Sequence, residues 1–184
     1  MFFFTKDSDI FFKPGSIEHA YFAILNDDLD TAQTVFENID SPRAKWGKVF
    51  VSILKGYIEI YPTYFEIRNF LEIDLDFLIK NEKMSYIELI LGSCEILTEI
   101  NQETYKYIAR VMLENKLYKA AKSYLDKSKD IFYNDPELHF LFAKYYIKMK
   151  DCEQADFHLD ECLNILPDYY PARRLQKELS RYLA

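Results

Sequence analysis

Glycine and net positive charge are both in short supply, and each shortage removes a class of function. Four glycines stand in 184 residues, at Gly15, Gly47, Gly56 and Gly92. They form no GxGxxG and no GxxxxGK[ST], so no glycine-rich loop offers backbone amides to a phosphate. GxSxG and HExxH are missing as well. Lys and Arg number 23 against 30 Asp and Glu, a formal charge of −7 with a pI near 5.1. Nucleic-acid binding relies on cations that displace counterions along the backbone, so DNA and RNA are not expected partners. The three cysteines, Cys94, Cys152 and Cys162, form an odd set without CxxC spacing, which suits reduced thiols in a cytoplasmic protein. Long apolar runs are lacking too: nothing approaches the roughly 20 residues of a spanning helix. In the opening MFFFTKDSDIFF, Lys6 and Asp7 interrupt the apolar run too early for an export signal. No membrane contact is expected.

What the chain has in quantity is apolar side chains at helical spacing. Aromatics make up 17%, with 15 Phe, 15 Tyr and one tryptophan, Trp46, and at that spacing they pack more often than they stack on bases or sugars. Six prolines, Pro14, Pro42, Pro62, Pro136, Pro167 and Pro171, fall between the periodic stretches, where the missing amide does least harm to a helix. The pattern predicts helices over 17–26, 29–39, 43–60, 63–80, 84–99, 102–114, 118–132, 137–149, 153–165 and 170–183. Asp135 is placed to cap a helix that Pro136 opens. The fold class is all-α: about ten helices on short turns, in a single domain over 1–184 that is large enough to bury a core without disulfides or metals.

Short helices on tight turns invite a test for a repeat, and a period of 34 emerges. Leu75, Ala109 and Ala143 form one 34-spaced set; Ile87, Ala121 and Ala155 another; then Leu91, Leu125 and Leu159; Cys94, Ser128 and Cys162; and Leu78, Met112 and Tyr146. Small residues recur where helices would approach closely, and large ones where hairpins would interdigitate.

This pattern resembles the tetratricopeptide repeat, a 34-residue helix-turn-helix. The stretch PELHFLFAKYYIKMKDCEQADFHLDECLNILPD carries it best, with Phe142, Ala143, Tyr146, Ala155, Leu159 and Pro167 at the family's slots and His139 where Trp is commonest. The copy at 102–135 matches through Tyr105, Ile108, Ala109, Ala121 and Leu125, with Tyr133 in the proline slot; the copy at 68–101 keeps little beyond size and polarity. The resemblance implies a right-handed superhelix of antiparallel hairpins, an α-solenoid with three repeats over 68–169. A polar capping helix over 170–184 would carry Arg173, Arg174, Lys177, Glu178 and Arg181. Ala20, Ala32 and Phe36 suggest degenerate N-terminal helices over 17–60. From Ala32 to Ile87 is 55 residues, 21 more than one repeat, so RAKWGKVFVSILKGYIEIYP supplies an extra helix whose packing the spacing leaves open.

No spacing suggests catalysis. Cys152, His158 and Cys162 are the most zinc-like set, but a fourth ligand is missing and Cys162 falls in a small packing slot; neither a metal nor another cofactor is expected. The acidic side of DCEQADFHLDEC reads as solvated surface. The resemblance implies instead an inner groove that takes a peptide or protein partner. Carried over, its slots are Glu72, Asp76 and Ile79, then Glu103, Lys106, Arg110 and Leu113, then Glu137, Phe140, Lys144 and Ile147. The partner-binding residues are therefore expected at Lys106, Arg110, Leu113, Phe140, Lys144 and Ile147, a mixture that suits an acidic amphipathic peptide. The family's carboxylate clamp is not reproduced, since Glu72, Asp76, Tyr107, Glu137 and Leu141 occupy its positions. Phe2, Phe3, Phe4, Ile10, Phe11 and Phe12 of the 1–16 extension would plug the apolar end of the stack or meet a second copy in a homodimer. The functional expectation is a non-enzymatic interaction module or adaptor. A small chaperone of secretion-system clients is the alternative, and a helical metal enzyme comes after it.

Overall fold

A computed structural model describes residues 13–183, with side chains through Ser180. The Phe-rich start, and with it the plug and homodimer expectations, lies outside the described residues. Those residues form eleven helices and no strand: the chain is all-α. No described helix is long and apolar enough to cross a membrane. The chain divides between Thr104 and Tyr105 into two compact units.

The first unit holds α1 (Ile17–Leu25), α2 (Leu29–Glu37), α3 (Pro42–Leu54), α4 (Tyr64–Lys80), α5 (Met84–Gly92) and α6 (Cys94–Ile100). The starts of the first four are written in the sequence. Ser16, Asp28 and Ser41 accept an amide of the first turn of α1, α2 and α3, and Thr63 and Glu66 close a capping box on α4. The extra helix expected near 43–60 is α3, which packs on α2, α4 and α5. It ends at Leu54 rather than at 60, because Gly56 turns left-handed (φ 92°) while the amides of Gly56 and Tyr57 bond back to Ile53 and Ser52. The helix expected over 84–99 breaks at Gly92 and Ser93. The Ser93 hydroxyl donates to the Leu89 carbonyl at 3.0 Å, and a Gly-Ser pair with such a back-bond is a recognised cause of kinks.

The second unit begins with α7 (Thr104–Glu114) and continues through α8 (Tyr118–Ile131), α9 (Pro136–Met149), α10 (Cys152–Ile165) and α11 (Tyr170–Leu183). Asp135 caps α9 as expected, its carboxylate accepting from the Glu137 and Leu138 amides at 2.8 and 3.3 Å. α10 packs between α9 and α11, burying Ala143, Ala155, Leu159, Cys162, Ala172 and Leu179. The small residues let backbones approach, while each fully buried large side chain contributes on the order of 1.5–3 kcal/mol.

One turn recurs. Asp27, Glu82, Lys116 and Lys150 all sit in the left-handed region, at φ 62, 55, 63 and 62°. After each, the next amide bonds five residues back around the turn, from Asp28 to Ala23, Lys83 to Leu78, Leu117 to Met112 and Asp151 to Tyr146, at 2.8–3.0 Å. This is the Schellman closure. The last three copies are spaced by 34 residues, and 55 residues separate the first from the second. The members of the 34-spaced sequence sets are buried throughout, with only Leu91 and Tyr146 half-buried.

Candidate functional site

Two buried polar clusters come first, because each consumes groups that could otherwise do chemistry. In the first unit, Asp74 lies within the apolar stripe Leu71, Leu75 and Leu78 of α4 and is fully buried. Its carboxylate accepts from Trp46 Nε1 at 2.5 Å and from Tyr21 Oη at 3.0 Å, and it pairs with the Arg43 guanidinium. Arg43 itself lies 4.8 and 4.9 Å from the ring centres of Tyr21 and Phe70. Burial pushes the Asp74 carboxyl above the ordinary value, and burial together with Asp74 does the same to the Tyr21 phenol. One carboxylate thus ties α1, α3 and α4, with every oxygen committed.

In the second unit, His139 and His158 meet Nδ1 to Nδ1 at 2.9 Å, and His139 Nε2 lies 3.0 Å from the Tyr133 carbonyl. A carbonyl can only accept, so His139 carries its proton on Nε2 and accepts on Nδ1, which puts the His158 proton on Nδ1. Two neutral rings result. His158 is stacked against Phe142 and Tyr146, with ring centres 4.6 and 5.5 Å away. Burial lowers both imidazoles, and the neighbouring His139 helps to bring His158 down to about 4. Burial also raises the Cys162 thiol to about 11, so it carries no thiolate near neutrality. Cys152, His158 and Cys162 do not form a metal centre, and among the described residues no three His, Cys, Asp or Glu side chains are placed to hold an ion.

The expected groove residues separate into two groups. On α7, Lys106 is buried (3% exposed) and pairs with Asp135 at 2.6 Å and Glu137 at 3.2 Å; Arg110 reaches Glu137 at 2.7 Å, and Leu113 is buried. These cations pair with acids of their own unit. On α9, Ile147 packs into the α9–α11 core. Phe140 and Lys144 line an open cleft of about 350 Å3 whose other wall is α11, through Tyr170, Pro171, Arg174, Leu175 and Glu178.

The cleft is built from ordinary helical spacing. Phe140 and Lys144 are one turn apart on α9, as are Tyr170 and Arg174 on α11, so each wall presents an aromatic ring followed by a cation. Phe140 is half-buried with its ring centre 5.5 Å from that of Tyr169, which fixes the floor. Tyr170 is 73% exposed. Arg174 Nε donates to Glu178 at 2.9 Å. Lys144 Nζ lies 6.0 Å from the Phe140 ring centre, and among the described residues no carboxylate pairs with it. Tyr170, Arg174 and Leu175 were not expected in a site, although their period along α11 matches that of Phe140 and Lys144. Compared with family models, with curated proteins and with solved structures, the chain shows no match to any of the three.

Proposed function

We propose that the protein is a non-enzymatic interaction module of tetratricopeptide-like build, an α-solenoid of stacked hairpins that holds a segment of a protein partner in the cleft between α9 and α11. The repeated left-handed turn and the burial of the 34-spaced sets support the build, because a recurring hairpin geometry would produce both. The observation that carries the function is the cleft itself. It sets a largely exposed aromatic ring, Tyr170, beside the half-buried Phe140 and a lysine that no carboxylate among the described residues pairs with. Exposed rings flanked by cations are typical of surfaces that anchor a partner, since an aromatic loses little rotamer freedom when it is covered. The buried Asp74, His139, His158 and Lys106 each have partners within the fold, and the exposed ring and cations of the cleft support a binding role.

The test compares what the intact chain and its Tyr170→Ala variant retain from native lysate. A discrete protein held by the intact chain and lost from the variant is the expected outcome. Retention of the same proteins at the same yield, with the variant's melting temperature unchanged, would remove the cleft as the binding surface.

A further inference from the structure

We infer that the occupant of the α9–α11 cleft is an acidic amphipathic segment of a protein partner, with one bulky apolar side chain over Phe140, Tyr170 and Leu175 and a carboxylate within reach of Lys144 and Arg174. The inference rests on the interaction-module reading and adds the chemistry of the ligand. Its starting point is a contrast of charge. The chain carries −7 overall, and the second unit's deeper cations, Lys106 and Arg110, are answered by Asp135 and Glu137. Lys144 is not answered in this way: an aromatic ring at 6.0 Å is its neighbour. Arg174 gives one N–H to Glu178, and a guanidinium has four more to donate. The two cations outnumber the single carboxylate in the cleft. Glu178 is already neutralised by Arg174, so the unanswered charge is positive.

The shape sets the rest. A volume of about 350 Å3 is at the lower end for small-molecule sites, and it accepts one or two large side chains. On both walls the aromatic precedes the cation by four residues, so the complementary ligand carries its apolar side chain and its acid about one helical turn apart. Carboxylate contacts to Lys and Arg are charge-assisted, and a bidentate pair with Arg174 would fix the direction of the bound segment.

Selection of a phage-displayed library of random 12-residue peptides on the intact chain tests this. Fluorescence anisotropy then gives the affinities of the selected peptides. The expected result is enrichment of sequences with Asp or Glu three or four residues from Phe, Leu or Trp. Their affinity should fall at least about tenfold for Lys144→Glu with Arg174→Glu, survive Lys144→Arg, and weaken with salt. Because charge reversal on neighbouring helices could disturb folding, Lys144→Gln alone is read in parallel, with a fall of about threefold expected. Selected peptides that lack acids, or that bind both charge variants undiminished while failing on Tyr170→Ala, would overturn the acidic-ligand inference and leave the module reading standing. Peptides indifferent to Tyr170→Ala, or no selected peptide at all, would overturn both.

Discussion

The two units bury polar side chains in opposite ways. The first gathers a charge: Asp74 sits among Arg43, Trp46 and Tyr21 and ties three helices through one carboxylate. The second gathers none, because His139 and His158 share a proton between two neutral rings and join only α9 to α10. A buried ionic hub is costly to assemble and more costly to break, whereas a neutral pair is sensitive chiefly to the pH that charges it. The difference gives each unit its own failure mode, and both can be read in one molecule, since the lone tryptophan, Trp46, belongs to the first unit.

Removing the hub carboxylate should have the largest effect. Asp74→Ala leaves the Arg43 guanidinium, the Trp46 indole N–H and the Tyr21 hydroxyl without their shared acceptor, and such a deletion costs about 3–5 kcal/mol. Urea unfolding followed by Trp46 fluorescence should show that loss. Hydrogen exchange in α9 and α10 should not follow it. A shift of under about 1 kcal/mol would mean that the hub is a passive passenger of the aromatic packing around it.

Acid should act on the other unit. Both imidazoles are held below their ordinary value, so as pH falls the unfolded chain takes up protons first. The pair's stabilisation is full above about pH 6.5 and drains away as pH drops toward the His158 value of about 4. A shift of that size corresponds to roughly 3 kcal/mol. Glu161 and Asp135 around His139 oppose the trend, while Lys122 and Lys129 near the pair reinforce it. Asp74 runs the other way. Its value is raised, so its contribution is fullest below the unfolded value of 3.8 and fades as pH rises through the folded one. Hydrogen exchange should therefore report opening of α9 and α10 between pH 6.5 and 4, with Trp46 emission unchanged. Simultaneous loss of both signals would end the claim of separate failure modes. His158→Phe, which keeps a stacked ring, should flatten the pH dependence.

Two glycines separate tight from loose packing within the first unit. At Gly47 an added Cβ would lie 2.6 Å from the Phe36 ring, where no real contact exists. Gly47→Ala should therefore cost about 1–3 kcal/mol by overpacking, again read through Trp46. Nothing lies within 4 Å of a Cβ at Gly92. Gly92→Ala should raise stability by a few tenths up to about 1 kcal/mol through helix propensity alone, and a destabilisation there would show that the kink at Ser93 needs the glycine.

What the sequence disclosed was what short range decides. Helical period and the Asp135–Pro136 start depend on residues within a turn or two of one another, and they appear where the spacing placed them. The end of α3 depends on a left-handed residue at Gly56, and the break at Ser93 on a hydroxyl that competes for a carbonyl; helical periodicity carries neither. The fate of Lys106 depends on Asp135 and Glu137, which the chain brings to α7 only by folding. Two signals were present and unread. Asp74 falls three residues after Leu71 and four before Leu78, inside an apolar stripe, where a charge must find partners. His139 lies four residues before Ala143 and His158 three after Ala155, so an antiparallel hairpin that opposes the two alanines also opposes the two histidines. The cleft needed α9 and α11 brought to the two sides of one opening, which no local period encodes.

The smallest expected effect concerns what the units share. Among the described residues five helices end in the Schellman closure, and glycine occupies the left-handed position in one of them, at Gly56. Asp27, Glu82, Lys116 and Lys150 hold that conformation with a Cβ, which carries a penalty of roughly 1–2 kcal/mol that glycine avoids; glycine's greater freedom in the unfolded chain returns about half of it. Lys116→Gly and Lys150→Gly should each stabilise the second unit by about 0.5 kcal/mol, and Glu82→Gly the first by a similar amount, measured as shifts of the unfolding midpoint. Gly56→Ala should cost about 1 kcal/mol, because the same penalty is imposed with no compensating bond. If the three substitutions to glycine stabilised one unit and not the other, the turns would differ energetically despite matching dihedrals. The recurring closure would then be a coincidence of shape and not one repeated solution to ending a helix.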